Sequence, residues 1–232
     1  EIMAGIGVRL NKIFGKNTLT TNMIGFFYST LVTVAPMFAI IINLVLMEYF
    51  LKFSTLGYAQ RELFSCTILY TFIFSLLTAS PFNAVLSRYI SDVIYEERYQ
   101  DILPCYHIGM MLNIVLSCLV GIPFCLWEHF VGGVSVAYVF AGFWCYISLV
   151  FVFYSMIYLS ICKDYQRIAQ YYIVGMLVAF FLSLFLRYIC HWGITQSMLA
   201  AMDAGFFLTA VLENALVKRY FRKNSNRYKP VL

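Results

Sequence analysis

Long uncharged apolar stretches, separated by short polar segments, dominate this chain. Six of them reach the roughly 20 helical residues that cross the hydrocarbon core of a bilayer. Of the 16 basic and 11 acidic side chains, only Asp203 and Glu213 fall inside these stretches. Because the runs are continuously apolar rather than alternating, they predict an all-α integral membrane protein, a bundle of six transmembrane helices, and not a barrel. The spans are residues 22–47, 63–86, 102–127, 134–161, 168–186 and 194–217.

Composition supports the membrane assignment. The chain is 62% hydrophobic, 19% aromatic and 12% charged, whereas soluble domains carry about 25% charged residues. These values exclude a soluble globule, and they exclude a disordered chain, which needs low hydrophobicity and high charge. The net charge of +5 on such a chain indicates cytoplasmic loops that face anionic lipid, and it gives no reason to expect nucleic acid as a partner.

Basic residues are distributed unequally between the two sides of the predicted bundle. Thirteen of the 16 Lys and Arg residues flank the spans on the side of the chain ends, and only Lys52, Arg61 and Arg187 lie on the other. The positive-inside rule therefore places both termini in the cytoplasm. We divide the chain into a basic segment at 1–21, either an interfacial amphipathic helix or a positive flank, the bundle at 22–217, and a basic tail or linker at 218–232. Pro36, Pro81 and Pro123 are expected to kink their helices.

Nothing in the sequence indicates an enzyme or a cofactor. The seven cysteines lack a C-x-x-C pair and lie in or beside apolar runs, so we interpret them as packing residues rather than disulfides or metal ligands. There is no zinc-protease helix motif, nucleophile elbow or phosphate-binding glycine loop. We therefore expect no catalytic site, no metal and no cofactor, and no coupling to ATP within these residues.

Four polar residues within the spans are candidates for a substrate cavity. Asp203 lies near the middle of the sixth span, where a carboxylate costs about 3 kcal/mol, so it should face protein or water. It either lines a cavity, contacting sugar or taking up a proton, or is a paired structural carboxylate. Ala201 and Gly205 beside it predict close helix packing. The other candidates are amides that either bond between helices or line a polar path: Asn43, Asn83 and Asn113.

Three charged residues are candidates for gating or partner docking. Arg88 and Asp92 lie in the segment between the second and third spans, where they would be i, i+4 partners on a helix. This segment is a gate latch, a docking surface for a synthase, or simply a solvated loop. Glu213 lies near the cytoplasmic end of the sixth span and is expected to reach the interface or to pair with Lys218 or Arg88.

Several segments resemble the PelG family of exopolysaccharide transporters. The first is Met3 to Leu10 (MAGIGVRL), followed by Ala35-Pro36 in a long first span. The second runs from Phe82 to Asp92 (FNAVLSRYISD) and continues through Glu96-Glu97-Arg98 to Pro104. The third is the short basic turn from Cys162 to Ile168 (CKDYQRI). The likeness covers essentially the whole chain in span order and loop length.

The resemblance implies a function and a larger assembly. PelG is a member of the multidrug, oligosaccharidyl-lipid and polysaccharide flippase superfamily, in which two bundles of about six helices surround a central cavity. By this resemblance the chain corresponds to the N-terminal half of such a transporter. We therefore expect it to be a fragment of a longer protein that has a second six-helix lobe. The implied activity is alternating-access transport of an amino-sugar-rich Pel polymer across the bacterial cytoplasmic membrane, with a cytoplasmic glycosyltransferase and other synthase membrane proteins as partners. The alternative is a non-transporting scaffold or channel-like subunit of the synthase.

Overall fold

The described residues of the chain form six long α-helices. The structure, a computed structural model, describes residues 19–96, 98, 101–162 and 164–225, and the side chains among them from residue 34 to residue 221 except at position 94. A short 3-10 helix, Phe53–Thr55, follows the first long helix, and the described residues contain no strand. The helices are α1 (Leu19–Phe50), α2 (Tyr58–Tyr95), α3 (Ile102–Phe130), α4 (Val136–Ile161), α5 (Tyr165–Tyr188) and α6 (Ile194–Ser225).

The predicted all-α membrane bundle is confirmed, one helix for each predicted span. Five helices are long and apolar enough to cross a bilayer, and the apolar part of α1 whose side chains are described, Val34–Phe50, adds a sixth. Pro36, Pro81 and Pro123 each lie inside a helix that continues through them. The segment at 1–18 and the tail at 226–232 lie outside the described residues.

Two helices continue beyond the spans expected from hydropathy. Helix α2 extends to Tyr95, so most of the predicted polar loop after the second span is helical. Helix α6 extends to Ser225, which makes the first part of the predicted tail helical as well. Hydropathy marks where the hydrocarbon ends, whereas a helix can continue into the interface because its hydrogen bonds are internal to the segment.

Helix α6 lies at the centre of the bundle, between α5 and α4. Helix α1 packs on the other side of α5, while α2 and α3 both pack against α4. Helices α4 and α6 run in the same direction, because Ser148 contacts Asp203 and, further along both helices, Tyr158 contacts Phe221. We call the end of the bundle that carries the α1–α2, α3–α4 and α5–α6 loops the outer end, and the opposite end the inner end.

Helices α5 and α6 approach each other closely at two glycines. A Cβ atom placed on Gly205 would lie 2.7 Å from the carbonyl oxygen of Gly175, and one on Gly175 would lie 2.1 Å from Thr209 Oγ1. Both distances are too short for a real side chain, so only glycine permits this separation of the helices. The close packing that Ala201 and Gly205 predicted is therefore present.

The outer loops are short and each contains one residue in the left-handed conformation. These residues are Lys52 (φ 54°), Gly133 (φ 66°) and His191 (φ 55°). Glycine adopts this conformation freely, whereas Lys and His adopt it at a cost of roughly 1 kcal/mol or more. Tyr188 Oη also donates to the carbonyl oxygen of Phe50 at 2.9 Å, which joins the α1–α2 and α5–α6 connections at this end.

The inner end is held by a polar contact between α6 and the α4–α5 turn. Tyr220 Oη donates to the Asp164 carboxylate, and Arg167 Nε lies 3.4 Å from the same carboxylate. The Arg167 guanidinium also lies over the Tyr220 ring, 5.5 Å from its centroid. In this turn, burial and the nearby Asp164 charge raise the pKa of the Cys162 thiol to about 11. These contacts fix the end of α6 against the predicted basic turn.

Candidate functional site

An open cavity of about 570 Å³ lies between α4 and α6 in the outer half of the bundle. On α6, Gln196, Ala200 and Asp203 line it at helical spacing, so one face of the helix borders the cavity from the outer end inward. Trp192, in the loop just before α6, extends the same wall. The first two turns of α4 contribute the opposite wall, which includes Trp144. We call this space the outer cavity.

Asp203 is the carboxylate of the outer cavity. Its side chain is partly exposed, and its Oδ1 accepts a hydrogen bond from Ser148 Oγ on α4 at 2.9 Å. One such bond leaves further lone pairs of an ionised carboxylate free to accept bonds from a ligand. The cavity interpretation of Asp203 thus has a geometric basis, although its role stays a prediction.

Aromatic rings form much of the rest of the outer cavity. Phe140 and Trp144 are stacked, with ring centroids 6.4 Å apart and an angle of 19° between their planes. Trp192 lines the cavity from the α5–α6 loop, and all three rings are exposed. A carboxylate next to aromatic faces can accept hydrogen bonds from sugar hydroxyls, while the rings contact the apolar face of a sugar and attract a cationic amine.

The three asparagine candidates do not lie around this cavity. Asn43 is buried between helices, with its Nδ2 3.5 Å from Met176 Sδ on α5 and 3.4 Å from Met202 Sδ on α6. A thioether is a weak acceptor, so Asn43 contributes only weak contacts from α1 to α5 and α6. Asn113 is fully buried, and neither of its amide atoms has a described partner. Asn83 Oδ1 is likewise buried without one.

The structure separates the three candidates for gating or docking. Arg88 and Asp92 are exposed on the inner part of α2, and no ion pair joins them among the described residues. Water solvates both charges well, so an exposed pair gains at most about 1 kcal/mol. The ion pairs of this region are instead those of Arg98 with Glu96 and with Asp101, the latter at 3.7 Å.

Glu213 differs most from its expected surroundings. Its side chain has no exposed surface, so it does not reach the interface. No described residue hydrogen-bonds to either carboxylate oxygen, and the expected pairing with Lys218 or Arg88 is absent from the described residues. The expectation was wrong because Lys218 and Arg88 both lie on exposed faces, whereas Glu213 faces the packed interior of the bundle.

Four buried tyrosines surround this interior, and we call them the tyrosine cluster: Tyr106, Tyr154, Tyr158 and Tyr172. Tyr106 Oη lies 2.8 Å from Ser155 Oγ, and Tyr154 Oη donates to the Tyr106 carbonyl oxygen at 2.9 Å. The Tyr106 and Tyr158 rings meet edge to face at 4.8 Å. Both Tyr106 and Tyr172 lie close enough to Glu213 to interact with its charge.

Sequence reasoning did not identify the tyrosine cluster. Eighteen tyrosines occur in the chain, and most tyrosines of a membrane protein lie in the interfacial belts. The one available signal was the i, i+4 spacing of Tyr154 and Tyr158 inside a span, which puts two phenols on the same helix face.

The fold and its surface define the class of protein. Large apolar side chains are exposed along α1, α3 and α5, as expected of helices that face lipid tails. Trp127 and Trp192 are exposed near the outer ends of α3 and α6, where tryptophans of membrane proteins contact the headgroup layer. The protein is a multi-pass integral membrane protein.

The chain belongs to the PelG family. The family model described as "Putative exopolysaccharide Exporter (EPS-E)" matches residues 3–232, which confirms the resemblance drawn from the sequence motifs. Comparisons with curated proteins and with solved structures found no significant match. Membership assigns the chain to exopolysaccharide export across the bacterial inner membrane, with a polysaccharide as substrate, and to an exporter family rather than an enzyme class.

Proposed function

We propose that this chain transports an amino-sugar-rich, Pel-like polysaccharide by alternating access, with the outer cavity as part of the polymer path. The observation that carries the proposal is Asp203, a mid-helix carboxylate that borders an open cavity lined by Trp144 and Trp192. A polymer with free amino groups is cationic, so a carboxylate in the path attracts it. In this proposal a second six-helix lobe, of the kind that the resemblance implies, supplies the facing wall.

The test is Asp203→Asn in the full-length protein. Asparagine has nearly the same shape and can still accept from Ser148, but it has no charge. We expect polymer export to fall while the amount of protein in the membrane stays the same, measured as secreted polymer per unit of transporter on an immunoblot. Glu48→Gln, which neutralises an exposed carboxylate at the end of α1, is the matched control. Normal export by Asp203→Asn would reduce Asp203 to a structural residue.

The alternative function is a non-transporting scaffold or channel-like subunit of a polysaccharide synthase. The closed inner half favours this alternative, because Glu213 has no exposed surface there. The two functions differ in whether the inner half opens during polymer synthesis. The accessibility of cysteines introduced on α6 distinguishes the transporter from the scaffold.

A cytoplasmic glycosyltransferase is the partner that the proposed function requires at the inner end. Arg88 and Asp92 are exposed on α2 and lack an ion pair with each other, so both charges are available to a partner. The double variant Arg88→Gln, Asp92→Asn should weaken co-purification of the synthase without changing the amount of transporter. Unchanged co-purification would leave this face as a solvated helix surface.

A further inference from the structure

The buried carboxylate of Glu213 is the feature of the bundle that its packing leaves unexplained. Its side chain has no exposed surface, and no described residue bonds to either oxygen. Removing an ionised carboxylate from water costs several kcal/mol even after relaxation of the protein. No described basic side chain offsets that cost: Lys218 and Arg219 on α6, and Arg88 on α2, are all exposed.

The titratable groups around Glu213 are phenols. Tyr106 on α3 and Tyr172 on α5 lie within range of its charge, and the Tyr106 ring contacts Tyr154 and Tyr158 of α4. Buried phenols are neutral near pH 7, so none of them neutralises a carboxylate. A metal cation would need several ligands around the carboxylate, and the described residues contain no group of three His, Cys, Asp or Glu side chains that could hold one. The remaining species that can neutralise Glu213 is a proton.

We infer that Glu213 binds a proton in this closed conformation, and that opening and closing of the inner half are linked to release and rebinding of that proton. When the inner half opens, water reaches the carboxyl group, its O–H bond breaks and the proton passes to water. The carboxylate is then stable only while it is hydrated. The inner half can therefore close again only after one oxygen of Glu213 takes a proton from water, so each closure binds one proton.

The link between proton binding and closure of the inner half rests on the proposed transport function. It uses Glu213, a different part of α6 from the Asp203 region that borders the outer cavity. Asp203 and Glu213 are separated by about 15 Å along α6, at 1.5 Å per residue. Asp203 keeps a hydrogen bond and an opening to the outer cavity, so it can remain ionised and contact the polymer. Glu213 has neither, so it can carry a proton without competing for substrate.

The first measurement detects the proton directly, in full-length protein in lipid. Infrared difference spectroscopy resolves the carbonyl stretch of a protonated carboxylic acid, which is absent from a carboxylate. We expect this band at neutral pH, its loss in Glu213→Gln, and its retention in the controls Asp203→Asn and Glu62→Gln, the latter altering an exposed carboxylate of α2. Absence of a band that depends on Glu213 would overturn the inference, whatever the transport assays show.

The second measurement tests whether polymer export depends on proton release by Glu213. Glu213→Gln reproduces the shape of the neutral acid but cannot release a proton. We expect it to accumulate in the membrane like the wild type while polymer export is lost, and Glu213→Asp to restore part of the export. Normal export by Glu213→Gln would overturn the inference. Loss of export in Glu213→Gln together with normal export in Asp203→Asn would retain the proton site and reject the proposed polymer path, so the two failures are distinguishable. Should Glu213→Gln fail to accumulate, Glu213→Asp replaces it in the infrared measurement: a band that shifts in this variant supports the inference, and an unchanged band overturns it.

Discussion

Asp203 and Glu213 lie on the same helix, but their surroundings are opposite in character. The outer half is open at Asp203, which has a hydroxyl partner on α4 at 2.9 Å and a cavity of about 570 Å³ beside it. The inner half is closed at Glu213, which has no described partner and no exposed surface. Two carboxylates in one apolar helix can thus have different surroundings, because the neighbouring helices determine whether each one meets water or packed side chains.

The boundary between the two halves lies at the glycine contact. Gly205 follows Asp203 by half a turn, and α5 and α6 pack closely where it meets Gly175. Thr209, one turn further along α6, donates to the Gly205 carbonyl oxygen at 2.9 Å. On the inner side of this contact, the packed helices leave Glu213 with no exposed surface.

Accessibility along α6 should show the largest difference between the halves. In a cysteine-free background, we expect Ala200→Cys, which lines the outer cavity, to react with an impermeant maleimide added outside. Buried Ala210→Cys should react only from the cytoplasm and only while polymer is being made. Labelling of Ala210→Cys that is absent under all conditions would favour the scaffold function. Gly57→Cys is the orientation control, and its labelling only from inside would reverse the predicted topology.

The next largest effect should follow from filling the boundary. In Gly205→Ala the new Cβ would lie 2.7 Å from the Gly175 carbonyl oxygen, so the helices must move apart. We expect a loss of about 1–3 kcal/mol of stability, measured by thermal unfolding in detergent. Gly142→Ala is the control, because its Cβ would meet Thr67 Cγ2 at an ordinary 3.5 Å. Equal stability of the two variants would contradict the close approach.

A pH-dependent difference should distinguish the two ends of the bundle. The thiolate is the reactive form of cysteine, and the pKa of Cys162 is raised to about 11. In a variant that keeps only Cys162, the rate of reaction with a permeant maleimide should rise about tenfold per pH unit from neutral pH towards that value. A variant that keeps only Cys190, exposed at the outer end, provides the comparison. A Cys162 rate that levels off below pH 9 would contradict the burial of this turn.

The smallest effect should come from one hydroxyl group in each half. Tyr106→Phe removes the 2.8 Å bond to Ser155 inside the tyrosine cluster, and we expect a loss of about 1 kcal/mol. Tyr138→Phe in the outer half removes a longer 3.3 Å bond to Thr67 and should cost less. Thermal unfolding of both variants measures the difference. A larger loss for Tyr138→Phe would show that the outer half is the more tightly organised one.

The sequence predicted the helices well because hydropathy reports directly on the lipid environment. It also identified Asp203, Glu213 and the small residues around Gly205, since charges and glycines are rare in apolar spans and easy to recognise. It could not predict which of the two carboxylates would meet water, because that depends on the rotation and height of α4 and α5 beside α6. Asn43 shows the same limit, since its partners Met176 and Met202 are distant in sequence and have no recognisable pattern.

The short outer loops leave little of the described chain beyond the helix ends on that side. Each turns through a single left-handed residue, at Lys52, Gly133 and His191, and the neighbouring helices begin again within a few residues. An antibody fragment raised against this side would find an epitope made of helix ends and three tight turns rather than a protruding domain. Under the predicted topology, a component that binds this end from outside the cell would therefore have to approach the lipid headgroups to reach it.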